Sequence, residues 1–257
     1  MIRAKIAGVP VEIRCRHEEN ESFFADYFTD ESPKFIVEPE ADDLERIRVS
    51  ADQMAVNEGR EPEHYSESYL ENNAVHALLA EKLVEYGVLL MHGSALAMDG
   101  EVYIFTAKSG TGKSTHARLW RERFGSRVEM INDDKPMLRI ENGSVMVYGT
   151  PWNGKHRLGV NDRAPLKAVI HLTRDTKNHI NPIAGREAFA LIYRQAYVSR
   201  NPETTRRIVA MEEELIRSAA FYRLGCNMEI EAAETAWRGM NPGKPLPEAG
   251  KDEQNEA

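Results

Sequence analysis

Ala107-Lys108-Ser109-Gly110-Thr111-Gly112-Lys113-Ser114 has the residue types needed to hold an anion. Gly110 and Gly112 let the backbone curl until successive N–H groups face one point. A helix beginning near Lys113 adds the positive end of its dipole. The stretch fits the Walker A pattern at every position but the first, where alanine stands for glycine. In that chemistry Lys113 reaches the β- and γ-phosphates of a nucleotide and the Ser114 hydroxyl ligates Mg²⁺. Ser109, Thr111 and Thr115 complete the set expected around the polyphosphate. A glycine-rich turn arising by chance would not carry Gly-Lys-Ser between a β-like run and a helical one.

Such a loop needs a carboxylate at the end of a neighbouring strand. Val128-Glu129-Met130-Ile131-Asn132-Asp133-Asp134 supplies two. Adjacent strand residues face opposite ways, so the two aspartates need not share a role: one is a candidate for the metal, the other for taking a proton from a hydroxyl substrate. Either could instead be a plain turn residue. Lys155 and Arg157 follow the turn-rich Pro151-Trp152-Asn153-Gly154 and are candidates for neutralising phosphate charge, or for a solvated loop. Trp152 is expected to anchor that loop rather than stack on a base. No Asn-Lys-x-Asp run is present to read guanine, which favours ATP over GTP.

The elements that must position these groups follow from periodicity. Residues 11–15, 34–37 and 47–49 read as short strands, residues 54–66 as a connection and residues 67–86 as a helix. Residues 88–98 are strand-like. Asp99-Gly100 signals a two-residue hairpin, and residues 101–106 return into the glycine loop. Further strands are expected at 128–132, 137–140, 145–148 and 168–172. Helices are expected at 186–197, 202–220 and 228–238, with Asn201-Pro202 a cap followed by proline at the first helical position. Trp120 and Phe124 read as core, His116 as facing solvent, and Glu212-Glu213-Glu214 as a solvated helix face. The expected division is a β-rich region with linker over 1–66, a catalytic domain over 67–240 and a loose tail over 241–257.

Composition bounds the rest. The chain of 257 residues carries 33 basic and 41 acidic side chains, a net charge of −8, which disfavours nucleic acid as a partner. No apolar stretch approaches the ~18 residues of a membrane span, and charges interrupt the N-terminal segment where a secretory signal would need an apolar core. Two distant cysteines give neither a disulfide framework nor zinc spacing. The expected location is cytoplasmic. Nothing in the sequence speaks to oligomeric state.

The order of His92-Gly93, strand, Asp99-Gly100, return strand and phosphate loop resembles the catalytic domain of HPr kinase/phosphorylase, within the phosphoenolpyruvate-carboxykinase-like P-loop group. Ser109 to Ser114 is similar to the phosphate loops of both, and Asp133-Asp134 looks like the kinase's paired aspartates. Ile131 to Pro136 and Gly149 to Lys155 look like segments of small HPr-kinase-like bacterial proteins. The resemblance spans about Leu89 to Arg238; earlier residues do not resemble the kinase's N-terminal domain. It implies an α/β fold with a mixed β-sheet P-loop core, beside a small β-rich N-terminal region. It also implies Asp133 as base, Asp134 and Ser114 serving Mg²⁺, and His92 near the γ-phosphate. The expected function is Mg·ATP-dependent phosphoryl transfer to a hydroxyl, in the first place a serine, of a peptide, protein or free amino acid. The alternative is a nucleotide-binding ATPase or switch without an acceptor. Glu18, Glu19 and Glu21 are expected to help shape the acceptor side and to favour a cationic group there.

Overall fold

The computed structural model describes residues 1–57, 59–108, 110–154 and 156–250. The chain forms two compact units, Met1–Tyr86 and Gly87–Ala257.

The first unit is mixed α/β rather than β-rich. Strands β1 (Ile2–Ile6) and β2 (Val9–Ile13) form an antiparallel hairpin with Ile2 opposite Ile13. The short helix α1 (Glu19–Phe23) follows, and β3 (Phe35–Val37) then pairs parallel to β2. Two long helices complete the unit, α2 (Ala41–Asn57) and α3 (Glu67–Leu83). The strand expected at 47–49 is therefore helix. Ile47-Arg48-Val49 alternates over only three residues, and ion pairs at helical spacing, Arg48 with Glu45 and Asp52, mark the surrounding pattern. Helix α3 begins at Ser66, whose hydroxyl accepts from the Tyr69 N–H at 3.2 Å. It belongs to this unit because it packs on α2, so the division falls at Tyr86/Gly87 instead of 66/67. Its Glu71 is buried. Burial alone would raise that carboxyl's pKa, but the N–H groups of Arg16 (2.7 Å) and His17 (3.1 Å) and the Asn20 amide (2.8 Å) outweigh it and hold the pKa low.

The second unit is built on a nine-stranded mixed sheet. In chain order its strands are β4 (Val88–Leu90), β5 (Ser94–Met98), β6 (Glu101–Thr106), β7 (Val128–Asn132), β8 (Met137–Glu141) and β9 (Ser144–Tyr148). They continue with β10 (Arg163–Arg174), β11 (His179–Ile183) and β12 (Ala220–Cys226). The order across the sheet is β4-β8-β9-β10-β6-β5-β7, with β12 pairing both β10 and β11. The β5–β6 hairpin turns at Asp99-Gly100, both with positive φ (54° and 79°), as that two-residue turn requires. Strand β6 lies antiparallel to β5 and parallel to β10. Helix α4 (Lys113–Phe124) leaves the glycine loop and buries Trp120 and Phe124 against Tyr103 and Phe105 of β6. Helices α5 (Arg186–Gln195) and α6 (Pro202–Ser218) pack on each other, and α7 (Glu231–Met240) packs on α4. Asn201 caps α6 as expected. No helix among the described residues is long and apolar enough to cross a membrane.

Three surface expectations need correction. The tail is docked as far as Gly250: the Gly250 N–H bonds the Phe124 carbonyl at 2.9 Å, Arg123 bonds that of Pro247 at 3.2 Å, and Leu246 packs on the core. Residues 251–257 lie outside the described residues. His116 is buried because the aromatic cluster of α4 and β6 surrounds it. Its Nε2 accepts from Trp120 at 3.1 Å, and burial pushes its pKa down to about 3.

Glu212 is likewise buried, while Glu213 and Glu214 are exposed. One of its carboxylate oxygens has no partner among the described residues, and burial pushes its pKa up to about 7. A carboxyl raised from 4.5 binds its proton more tightly folded than unfolded. Its contribution to stability is full below about pH 4.5 and is lost as pH rises through about 7. Glu212→Gln removes that loss. Melting curves are expected to show the variant gaining on the parent protein between pH 5 and pH 8.5, by on the order of 2–3 kcal/mol. A constant difference between the two pH values would contradict this account.

Candidate functional site

The candidate groups gather at one end of the β5–β6–β7 sheet, within the second unit. Strand β6 delivers the glycine loop. Thr106, its last residue, donates its hydroxyl to the His92 carbonyl at 3.1 Å, fixing the segment that precedes β5. The Gly93 N–H bonds the Asp134 carbonyl at 3.1 Å and the Ser94 hydroxyl bonds that of Asp133 at 3.4 Å. These bonds tie the histidine-glycine segment to the aspartate pair. His92 Nε2 then stands 3.3 Å from an Asp134 oxygen, and Lys135 Nζ lies 4.0 Å from the same oxygen.

Asn132 sets the direction of the two aspartates, and the sequence reading missed it. Fully buried at the end of β7, its amide nitrogen donates to the Thr150 carbonyl (3.2 Å), the Thr150 hydroxyl (3.0 Å) and the Trp152 carbonyl (3.2 Å). Its amide oxygen accepts from the N–H groups of Asp134 (2.9 Å) and Lys135 (2.6 Å). That closure is an Asx turn, and it ends the strand before the carboxylates. The signal was present in the sequence, since asparagine placed two residues before the turn's N–H is the residue that makes this closure.

Beyond the turn the carboxylates diverge. Asp134 faces His92. Asp133 Oδ1 accepts the Gly154 N–H, and its Oδ2 has no donor among the described residues. Glycine is required at 154 by close approach, since a Cβ there would stand 2.7 Å from Asp133 Oδ2. Trp152 is buried and anchors this loop, as expected. Arg157 is exposed on the same loop with φ 46°; Lys155 falls outside the described residues.

The glycine loop is open above its two described glycines. Gly110 and Gly112 have φ of 73° and 121°, and a Cβ added to either would meet nothing within 4 Å. Ser109 is outside the described residues. Lys113 is half-buried and donates to the Ala107 carbonyl at 3.2 Å, leaving ammonium donors to spare. Burial lowers its pKa, Asp134 raises it and Lys135 lowers it, which puts all three charges in one field. Arg174, at the end of β10, bonds the loop from the far side. Its guanidinium donates to the carbonyls of Gly110 and, at 3.5 Å, Thr111. The peptide N–H groups opposite those carbonyls belong to Thr111, which bonds the Lys108 carbonyl at 3.1 Å, and to Gly112. The sequence reading missed this residue, because only the parallel pairing of β10 with β6 brings it to the loop.

A cavity of about 430 Å³ opens beside the loop. Its wall includes Ser114 and Thr115 at the start of α4 and Asp133 at the end of β7. Among the described residues no cluster of three or more His, Cys, Asp or Glu forms a metal cage. Mg²⁺ with a bound phosphate needs only one or two protein ligands, which a hydroxyl and a carboxylate supply. The empty space over Gly110 and Gly112 and the spare donors of Lys113 fit a polyphosphate. Ser114 and Asp134 fit the donor chemistry of its metal.

No family model and no curated protein matches the chain. Among solved structures, the chain is similar to the HPr(Ser) kinase/phosphatase from Coxiella burnetii. The match has 11% identity and a TM-score of 0.35, over 58% of this chain and 95% of that one.

Proposed function

We propose that the protein is an ATP-dependent kinase that phosphorylates a hydroxyl group. The observation that carries this reading is the shared cavity. A kinase needs a carboxylate within hydrogen-bond reach of an acceptor beside the phosphate site, and Asp133 lines one cavity with Ser114. A nucleotide switch needs only a positioned water and no such space.

In this reading the loop amides other than that of Thr111 and the Lys113 ammonium bind the polyphosphate, while Ser114 and Asp134 hold the metal. Mg·ATP supplies the electrophilic phosphoryl group and the compensating metal charge. Asp133 Oδ2 accepts the proton of the acceptor hydroxyl as the new O–P bond forms and the γ-phosphorus parts from the β–γ bridging oxygen, releasing ADP, with Oδ1 held by Gly154. His92 orients Asp134 through their 3.3 Å contact. Arg174 holds the loop in place through the Gly110 and Thr111 carbonyls. Lys155 and Arg157 remain proposed as loop cations for phosphate charge.

The test is incubation with γ-labelled ATP, Mg²⁺ and a panel of serine peptides, proteins and hydroxyl amino acids. Label in a phosphoester is the expected result. Release of label only as inorganic phosphate, whatever acceptor is added, would leave the hydrolase reading in its place.

A further inference from the structure

The acceptor cavity has a charge of its own. Ser114, Arg118 and Arg121 lie four and three residues apart on α4, so they share one stripe of the helix, and all three line the cavity. At 1.5 Å per residue, Arg118 and Arg121 stand about 6 and 10 Å along the helix from Ser114. The Arg118 guanidinium is paired with Glu122. Arg121 has no carboxylate partner among the described residues. His156 adds another nitrogen group to the wall, and Ala117, Met130 and Leu158 supply its apolar part. Asp133 is the one acid in this lining, and it follows β7, which runs in the same direction as β6 because both are antiparallel to β5, so it stands at the end of the sheet where α4 begins. The cavity thus runs from an acidic end beside the glycine loop to a cationic end further along α4.

Resting on the kinase reading above, we infer that the acceptor is a hydroxyl compound carrying a negative charge beyond its hydroxyl, held by Arg121 and Arg118. For an extended peptide at about 3.3 Å per residue, the 6–10 Å separation corresponds to an acidic side chain two or three residues from the serine. Asp133 at the hydroxyl end would be repelled by that acid, which fixes the orientation of the bound segment: hydroxyl towards the loop, anion towards Arg121. The cationic acceptor expected from Glu18, Glu19 and Glu21 is the opposing outcome, and none of those three residues lines this cavity.

The test uses the full chain and three sets of fluorescent heptapeptides with one central serine, flanked two and three residues away by Asp, Lys or Ala. Anisotropy at low ionic strength is expected to show the Asp set binding at least ~10-fold more tightly than the Lys set. Arg118→Glu with Arg121→Glu should reverse that order, and the milder Arg121→Gln should weaken the Asp set alone. Mg·ATP affinity should stay within about 2-fold in each variant. Equal binding of the sets, a preference that the variants do not move, or a shift in ATP affinity instead would overturn the inference. Labelling with γ-labelled ATP separates the two readings. Transfer to the Lys set in preference to the Asp set overturns the anionic acceptor and leaves the kinase. Tight binding of the Asp set with no transfer to any set overturns the kinase and leaves the anion site.

Discussion

Asp133→Asn is expected to lower kcat by about 10²- to 10⁴-fold with Mg·ATP affinity nearly unchanged. The substitution is conservative in structure: the asparagine carbonyl oxygen still accepts the Gly154 N–H that holds Asp133 Oδ1, so the loop keeps its place. What is lost is the second oxygen as a proton acceptor. Asp134→Asn should behave differently, because Asp134 faces His92 and Lys135 rather than the cavity wall. Its loss should raise the Mg²⁺ concentration needed for half-maximal rate. Steady-state kinetics over an Mg²⁺ series, with ATP binding measured separately, distinguishes the two. The same metal defect in both variants, with no separate chemical defect, would remove Asp133 from the role of base.

Lys113→Ala is expected to weaken Mg·ATP binding by roughly 100-fold or more without lowering the melting temperature. Charge-assisted hydrogen bonds are worth about 1.5–3 kcal/mol each, and the ammonium has more than one donor to give a phosphate. The fold loses little, since the only internal bond of that ammonium among the described residues is to the Ala107 carbonyl. Burial already lowers the lysine's pKa, so removing it also removes a half-buried charge. Calorimetric titration beside a thermal melt measures both. Unchanged ATP affinity would sink the assignment of the glycine loop to phosphate.

The sequence disclosed the parts of the site whose residue types suit few other purposes. Gly-Lys-Ser after a β-run, paired aspartates after an apolar strand, and Asp-Gly between two strands each stand in the structure where periodicity placed them. The parts it hid depend on partners distant in the chain. Arg174 reaches the glycine loop only because β10 lies parallel to β6, and nothing local to Leu172-Thr173-Arg174 announces it. Strands β11 and β12 were missed for a similar reason. Asn181-Pro182 sits at a sheet edge, and Gly225 gives way to the His179 ring, so neither segment carries a clean alternation. His116 and Glu212 were misplaced because polar residues on amphipathic helices are solvent-facing by default, and only tertiary packing buries them. In the first unit, three alternating residues were too few to tell a strand from a turn of α2.

Strand β10 has a consequence for how the second unit assembles. Its first residues pair with β9 and its last with β12 on one side, while β6 runs along the other. The bond network around the glycine loop is thus closed by segments that lie far apart along the polypeptide: Val102–Thr106, Arg163–Arg174 and Ala220–Cys226. Each closure requires a long stretch of chain to surrender its freedom before any hydrogen bond compensates for it. Folding of this unit is accordingly governed by non-local pairing, with β10 parallel to both β6 and β12, the slow regime for protein domains. The anchor that Arg174 gives the loop exists only once that late pairing is complete.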